Sequence, residues 1–568
     1  MRNTKIKDAQ ERSADIKNLN RRRMNLKKQL IWLLTGLVVV GLLAGCTPGA
    51  STSTNTPPAQ TTSGMPPVVV VSGSNYEMGY QYGEQAADLI YHNLVILKSK
   101  VMQAYGEEAA TRDMEVWSYY ADEYDPGFRD WLEGMQAGCA SRGYDVSYLD
   151  LVLVTVYPAE MWCRPDTPYP EETGVEPIAQ LPAGVGGEGE YHSCTTFAAT
   201  GSATRDGKPV VGITKMVPPE MVNTLILIAF PDEGPSFIMN PHAGGLVQNS
   251  GMNSSGLAWV LTAIFGPPIW GVVTEVYFHY LAQYCESPAE AQEYIENSPR
   301  AGVTGTFPMS DAAGNISVIE CNSQAFLVRE PGDLGEPGPF MVSTNHLMHP
   351  SLQAFNMPGL ETSNTWYRYV TCFESLKNAA AKGEVDFEWA KAMYSSDDWY
   401  DDATGTWHYN EPGSDVNNAG VSQSIFFPAD LIAYFHVGIP SGIGFPGGST
   451  GEYVKLKLAD NPAAVTSGAG WEAYGLCNAA MNFLAKELNR NAPYLTYSVA
   501  QSLEEMLDEA MLEWERGMDR EAFANMAEVE GADVNGKVAL WSAALTHYAK
   551  SQLYAQMVIT RLGRLAAE

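Results

Sequence analysis

A chain of 568 residues with 66 Asp and Glu against 35 Lys and Arg carries a formal net charge of −31. Without residues 1–45, 25 basic residues face 63 acidic ones and the charge is −38; such a surface repels nucleic acid and anionic lipid headgroups, so neither is expected as a partner. At 45% hydrophobic, 18% charged and 11% aromatic, the bulk of the chain belongs with globular proteins.

Residues 1–45 read as a targeting segment. A basic stretch (Arg21, Arg22, Arg23, Lys27, Lys28) precedes an apolar run from Leu30 to Leu43, short for a bilayer span and in secretory order. The run ends in Leu43-Ala44-Gly45-Cys46, which resembles the lipobox of bacterial lipoproteins. That resemblance implies cleavage before Cys46, a lipid on its sulfur, and a place on the extracytoplasmic face of the bacterial membrane. An uncleaved signal anchor is the alternative. From Thr47 to Pro67 the chain is mostly Thr, Ser, Pro, Gly and Ala, a tether (46–67) with too few large apolar groups to fold.

Val68–Val71 then reads as a strand, and Ser74-Asn75-Tyr76-Glu77 as a capping box. The helix it opens carries Ala86, Ile90, Leu94, Leu97 and Val101 on one face. Further helices are expected to about Met161, followed by a mobile Pro/Gly-rich stretch from Arg164 to Gly189. At Cys194 the pattern changes. Residues 194–200 and 210–212 flank Asp206-Gly207, a dipeptide that predicts a tight hairpin with positive φ at both positions. Short strands are expected at Thr195–Thr200, Val210–Thr214, Leu225–Phe230, Ser236–Met239, Leu257–Ala263 and Ile316–Ile319. One helix is expected over Thr274–Asn297, another after Asn364 and a third over Phe387–Tyr394. Strands return at Ser424–Phe427, Ile432–His436 and Tyr453–Leu456, and from Trp471 onward the chain reads as helix. Two groups of strands with helices between them point to an α+β fold of stacked sheets flanked by helices.

Cysteines stand at 46, 139, 163, 194, 285, 321, 372 and 477. No two have C-x-x-C spacing, so structural zinc is not expected. Apart from Cys46 and Cys194, the remaining six could form disulfides or stay as buried thiols. A lone cysteine is most often a small buried hydrophobe. Cys194, heading a strand, is instead a candidate nucleophile that self-cleavage would turn into a new chain terminus.

Several motifs occur in order: Met78-Gly79-Tyr80-Gln81-Tyr82-Gly83, Cys194-Thr195-Thr196-Phe197, Gly251-Met252-Asn253-Ser254-Ser255-Gly256-Leu257, Thr344-Asn345-His346, and Ser363-Asn364-Thr365-Trp366-Tyr367-Arg368. Together they resemble the C45 peptidase group, the cysteine N-terminal-nucleophile hydrolases that include the acyl-transferase of penicillin biosynthesis. Bile-salt and penicillin-V amidases are more distant relatives. The resemblance covers residues 66–460 and implies a four-layer αββα sandwich, made as a precursor that cuts itself between Ser193 and Cys194. On that reading 68–193 is a mostly helical pro-segment, 194–460 the hydrolase core, and 461–568 a helical C-terminal extension. By the same resemblance Asn345 is the oxyanion donor and Arg368 the cation that favours the thiolate or positions substrate. The alternatives are a turn asparagine and a solvated helix arginine. Asn253 is expected to shape the turn before Gly256.

The chemistry is coherent. A thiol near a reference pKa of about 8.5 is mostly protonated at neutral pH. The α-amine freed by cleavage, with a reference value of about 8, can take its proton and return one to a leaving amine. One departure stands out. Members of the group commonly carry Arg-Asn-x-Asp after the glycine of the second hairpin strand, whereas this chain has Gly212-Ile213-Thr214-Lys215-Met216. Lys215 is a loose substitute for the arginine, the aspartate is missing, and Glu220 or Asp232 could approach from nearby.

Other patterns are weaker. His192 precedes Cys194 by two residues, an unpromising Cys-His dyad. His346-Leu347-Met348-His349 lacks the zincin glutamate, and the acidic group Asp397, Asp398, Asp401 and Asp402 lacks a calcium-loop ladder. Trp366, Tyr367, Trp399 and Tyr400 read as aromatic core or as the wall of an apolar pocket. The reading that unites these features is a lipid-anchored, self-processing cysteine amidase that needs no cofactor or metal. Its substrate would be a small linear amide, an N-acyl amino acid or small peptide, cleaved through a Cys194 thioester. An acyltransferase using the same intermediate, or a ligand-binding lipoprotein without activity, are the alternatives. The oligomeric state is left open.

Overall fold

A computed structural model describes residues 65–177, 194–215, 223–246, 249–356, 358–396, 398–409, 422–436, 452–490, 492–531 and 533–567. The signal segment, Cys46, the tether as far as residue 64, His192, Ser193, Glu220 and Asp397 lie outside these described residues; the tether's last three residues are placed, with Met65 buried and Pro67 O accepting Ile226 N–H.

Strand β1 (Val68–Gly73) leads into α1 (Asn75–Tyr105). Ser74 Oγ accepts from Glu77 N–H while the Glu77 carboxylate accepts from Ser74 N–H at 2.9 Å, the reciprocal cap read from the sequence. Ala86, Ile90, Leu94, Leu97 and Val101 form its buried stripe. Helices α2 (Glu107–Tyr124), α3 (Phe128–Ser141) and α4 (Tyr148–Cys163) follow. The glycines of the first motif explain how α1 and α3 meet. A Cβ on Gly79 would lie 2.0 Å from Trp131 O, and one on Gly83 2.2 Å from Met135 O. Because backbone would have to yield, Gly79→Ala is expected to cost about 1–3 kcal/mol in urea denaturation.

The chain after α4 is not loose from its start. Arg164, fully buried, grips Asp113 with Nε at 2.5 Å and a second nitrogen at 2.9 Å. Trp270 Nε1 donates to Thr167 O and Tyr120 OH to Glu172, so the Pro/Gly-rich stretch expected to be mobile is anchored at these residues.

The strands that follow are β2 (Cys194–Ala199), β3 (Val210–Lys215), β4 (Ile226–Pro231), β5 (Phe237–Met239), β6 (Ser250–Asn253), β7 (Ala258–Val260), β8 (Thr262–Phe265), β9 (Val303–Ser310), β10 (Ile316–Cys321), β11 (Phe326–Arg329), β12 (Phe340–Ser343), β13 (Trp399–Asp401), β14 (Thr406–His408), β15 (Ser422–Phe427), β16 (Ile432–His436) and β17 (Tyr453–Lys457). They form a nine-stranded sheet in the order β1-β4-β5-β6-β7-β9-β10-β11, with β8 also on β9. A six-stranded sheet runs β12-β2-β3-β15-β16-β17, and β13-β14 is a separate ribbon. Only the β1–β4 pairing is parallel among the described ladders of the two large sheets.

Two expectations need correction. Thr274–Asn297 is two helices, α5 (Thr274–Tyr284) and α6 (Pro288–Asn297). Ser287 caps the second by accepting from Glu290 N–H, and Pro288 in its first turn has no N–H with which to continue the first. The β2–β3 hairpin headed by Cys194 forms as expected, but Asp206 and Gly207 do not both take positive φ at its turn. The β2–β3 connection spans residues 200–209, Gly207 alone of the pair has positive φ (+77°), and Thr204 bridges to Val385. Asp206 instead accepts Lys208 N–H through its carboxylate at 3.1 Å, an Asx turn inside a wider loop.

Helices α1–α6 cover one face of the larger sheet, where Ile90, Trp117, Trp131, Val152 and Phe278 share a core with Val69, Leu227, Phe237, Trp259 and Met309. On the smaller sheet, α7 (Asn364–Ala380) and α8 (Phe387–Tyr394) bring Tyr369, Cys372, Leu376 and Tyr394 to Phe197, Val210, Phe340 and Ile425. The other faces of the two sheets meet: β2 and β3 lie on β7, β8 and β9, and Thr262 Oγ1 donates to Thr344 O at 2.8 Å. Every residue of β2, β3, β9 and β10 is buried, as strands covered on both faces must be. The fold is mixed α+β.

Helices α9 (Pro462–Asn489), α10 (Tyr497–Glu530) and α11 (Val534–Ala567) share their own core, with Cys477, Leu484, Leu503, Leu507, Val558 and Leu562 at its centre. They do not stand apart, because α11 bonds to β1 and β17. Cys139, Cys163, Cys285, Cys321, Cys372 and Cys477 are buried thiols, not disulfides. Burial pushes the thiols of Cys139, Cys163, Cys285 and Cys321 up to about 12, which makes them poor nucleophiles. No described helix is long and apolar enough to cross a membrane.

Candidate active site

Strand register brings the site together. Cys194 heads β2, and on one side it is directly opposite Lys215 at the end of β3. On the other side β12 pairs Ser343 with Thr196, so the chain leaving β12 carries Thr344 and Asn345 back alongside Thr195 and Cys194. Asn345 Oδ1 accepts the Cys194 N–H at 2.9 Å. Its amide nitrogen donates to Ala263 O on β8 at 3.0 Å, which ties the site to the larger sheet. A flipped amide would set its NH2 against two donors, so the network itself orients Asn345.

Arg368 reaches the same spot from the second turn of α7. Ser363 caps that helix by accepting Trp366 N–H, and Asn364, four residues before Arg368 on the same face, accepts from Arg368 Nε at 2.7 Å. The rest of the guanidinium donates to Cys194 O, to Thr195 Oγ1 at 3.2 Å and to Asn345 Oδ1 at 2.9 Å. Arg368 is 1% exposed, so it is not a solvated helix arginine. The three residues singled out by motif therefore meet: Asn345 holds the nitrogen of Cys194 and Arg368 its carbonyl. Both of these contacts are to the backbone of Cys194. Asn345 spends one of its two amide N–H donors on Ala263 O.

The loop beyond Asn345 is braced by a buried ionic group. Arg329 Nε binds Glu320 at 2.6 Å and another of its nitrogens binds Glu336 at 3.0 Å; the second oxygen of Glu320 accepts the N–H groups of Met348 and His349, each at 2.9 Å. His346 is inside this shell. Its Nδ1 sits 3.1 Å from Thr344 Oγ1 and 3.0 Å from Thr365 Oγ1. Burial, then the charges of Arg368 and Arg329, lower it to about 3, so the ring is neutral at physiological pH.

Sequence reasoning undervalued Lys215. It is fully buried, and burial pulls its ammonium down to about 7 while the Cys194 charge acts in the opposite sense. The signal was present: a lysine ends the otherwise uncharged strand Val210-Val211-Gly212-Ile213-Thr214-Lys215. Tyr394, whose hydroxyl donates to Thr195 O at 3.3 Å, carried no motif. Asp232 is exposed, and its N–H donates to Gly73 O. Asn253 does more than shape a turn. Its Oδ1 accepts Leu257 N–H, and its amide bonds Cys285 O at 2.7 Å, holding the end of α5. Trp399 packs edge-on to Tyr367, with ring centroids 5.6 Å apart, and Trp366 Nε1 donates to Asp402; Asp401 closes the β13–β14 turn.

A scan against protein-family models finds no match. A curated protein of Archaeoglobus fulgidus, described as uncharacterized, is 23% identical over 362 residues, 57% of this chain. The match takes in 56% of that protein, so the chain spans about half the length of this curated relative. Among solved structures, two variants of a conjugated bile acid hydrolase from Clostridium perfringens are similar, at 14% and 16% identity and TM-scores of 0.28 and 0.29, each over 47% of this chain and 98% of theirs. A penicillin V acylase from Agrobacterium tumefaciens aligns at 13% identity with a TM-score of 0.27, over 47% of this chain and 86% of its own.

Proposed function

We propose that this chain is a self-processing cysteine amidohydrolase of the N-terminal-nucleophile class on a four-layer αββα scaffold, anchored by a lipid on Cys46 at the extracytoplasmic face of the membrane. Its substrate is a linear amide of an N-acyl amino acid or small peptide. The observation that carries the reading is the placement of Cys194: first residue of a buried strand, nitrogen on Asn345, carbonyl on Arg368. A residue held at both backbone ends at the start of a strand keeps its position when the bond before it is cut. Its thiol then shares a residue with the new α-amine. The second N–H of Asn345 is the donor assigned to the oxyanion, and Arg368 fixes the peptide that carries the thiol.

Intact-mass measurement and N-terminal sequencing of the expressed chain should find a fragment beginning at Cys194. Cys194→Ala should give one uncut chain with amine release from N-acyl amino acids at background, a loss of about 1,000-fold or more. A wild-type chain that folds yet stays whole, or activity that survives alkylation of Cys194, would remove the proposal.

A further inference from the structure

We propose that Lys215 is the base of the first cut: its amine takes the Cys194 thiol proton and later returns a proton to the departing nitrogen. The inference rests on the self-processing reading and addresses a step that the reading leaves without a base. In the uncut chain the Cys194 nitrogen is an amide, donating to Asn345 Oδ1 at 2.9 Å, with no basic lone pair to offer. The α-amine that serves later turnovers does not yet exist, so the first proton must go elsewhere.

Register puts Lys215 there. Residues directly opposite in an antiparallel pair project to the same face with Cβ atoms about 4.5–5.5 Å apart, and Cys194 is directly opposite Lys215. Both are buried, Lys215 at 0% and Cys194 at 4% exposure, so the pair is shielded from bulk solvent. An ordinary lysine, at about 10.5, is almost wholly protonated at neutral pH. This one, drawn down to about 7 by its burial, is unprotonated in a substantial fraction of molecules.

The other groups around the pair are poorer acceptors. Arg368, on Cys194 O from α7, has donors only. Tyr394, at the end of α8, has a buried phenol pushed up by desolvation and gives its proton to Thr195 O. Ser422, facing Lys215 from β15, donates to Asn240. His242, after β5, has Nε2 at 2.9 Å from Val154 O, and burial first, then the Lys215 charge, holds it at about 4. His346 is enclosed by Thr344 and Thr365.

The step balances. The S–H proton passes to Nζ, leaving thiolate and ammonium. Sulfur attacks the Ser193 carbonyl carbon, the C–N bond breaks, and the Cys194 nitrogen takes a proton from Nζ. The products are a thioester and an α-amine, with Lys215 neutral again. Water then hydrolyses the thioester to the Ser193 carboxylate and the free thiol, and the proton released passes to the new α-amine.

The test follows self-cleavage of the newly synthesised full-length chain, made in a cell-free reaction, by intact mass from about pH 5.5 to about pH 9.5. The wild-type rate should rise with a midpoint near 7, the value of the buried amine. Lys215→Arg and Lys215→Met should each cut about 100-fold more slowly at neutral pH. Both should recover toward the wild-type rate at the alkaline end, where a thiol ionises unaided. A lysine with only a structural role would instead depress the rate equally at every pH. Lys215→Arg cutting at the wild-type rate at neutral pH overturns the proposal. So does a wild-type midpoint near that of an unassisted thiol, about 8.5; that measurement decides alone if both variants misfold. If the wild type is never cut at any pH and matches Cys194→Ala, the self-processing reading itself fails and this step fails with it.

Discussion

Arg368→Met should leave the chain uncut and lower its unfolding free energy by about 3–5 kcal/mol, read from urea denaturation of the full-length protein. The guanidinium serves four acceptors at once: Cys194 O, Thr195 Oγ1, Asn345 Oδ1 and Asn364 Oδ1. Methionine fills the volume but leaves those oxygens inside a structure where Arg368 was 1% exposed, and an unmade buried hydrogen bond costs more than a made one contributes. Arg368→Lys keeps the charge on a single head that cannot span the four, so it should recover only part of either loss. A second readout separates this site from general destabilisation. Arg368 is, after burial, the largest influence holding His346 neutral. Without that cation the His346 ring should titrate at higher pH, visible in its NMR proton shifts in the folded variant. Equal stability of Arg368→Met and wild type would show that the four contacts do not hold the site.

How much of this was legible depends on how local the cause is. The cap at Ser74, the stripe on α1 and the strands at 195–199 and 210–214 follow from side-chain chemistry within a few residues, and they stand as read. The single helix expected over 274–297 is two, although Ser287-Pro288 marks a start as clearly as Ser74 does. The meeting of 194, 345 and 368 was reached through motif order alone. Its physical reason, the register of β12 on β2 and the helical turn from Asn364 to Arg368, needs the partners identified first. Lys215 shows the limit best. In the sequence it is a charge where another charge was expected; only pairing shows it buried opposite Cys194. That burial also has a stability sign. With a folded value of about 7 against an ordinary 10.5, the unfolded chain holds the proton between those pH values. Stability from this group therefore rises with pH from about 7 to about 10.5, and its cost is fully present below 7. A chain that keeps such a lysine breaks a local rule, as a residue with the proposed role would.

Gln552→Leu with Gln556→Leu should destabilise the protein by about 3–6 kcal/mol and promote self-association, measured by urea denaturation and light scattering. Each sheet has an end strand with backbone groups turned outward, β1 in the larger and β17 in the smaller. Helix α11 satisfies both with side chains. Gln552 accepts Lys455 N–H at 2.9 Å and donates to Lys455 O at 3.1 Å, while Gln556 does the same for Tyr453 at 3.1 and 2.6 Å. Higher on the helix, Ser542 accepts Val70 N–H at 2.8 Å and Thr546 accepts Val68 N–H at 3.0 Å. The match is metric: four helical residues advance about 6.0 Å and two strand residues about 6.6 Å, so every fourth side chain meets every second outward peptide. The offset of ten between 542/546 and 552/556 turns the second pair about 80° around the helix, which directs the two pairs to different sheets. Leucine at both glutamines removes four bonds, leaves four part-buried backbone groups unpaired, and uncovers a strand edge able to recruit another chain. Gln552→Glu alone, which can still accept the Lys455 N–H but cannot donate to its carbonyl, should lose about half of one glutamine's share. A double variant as stable and monodisperse as wild type would mean that water replaces α11 at the edge without loss, and the C-terminal helices would then need another reason to be there.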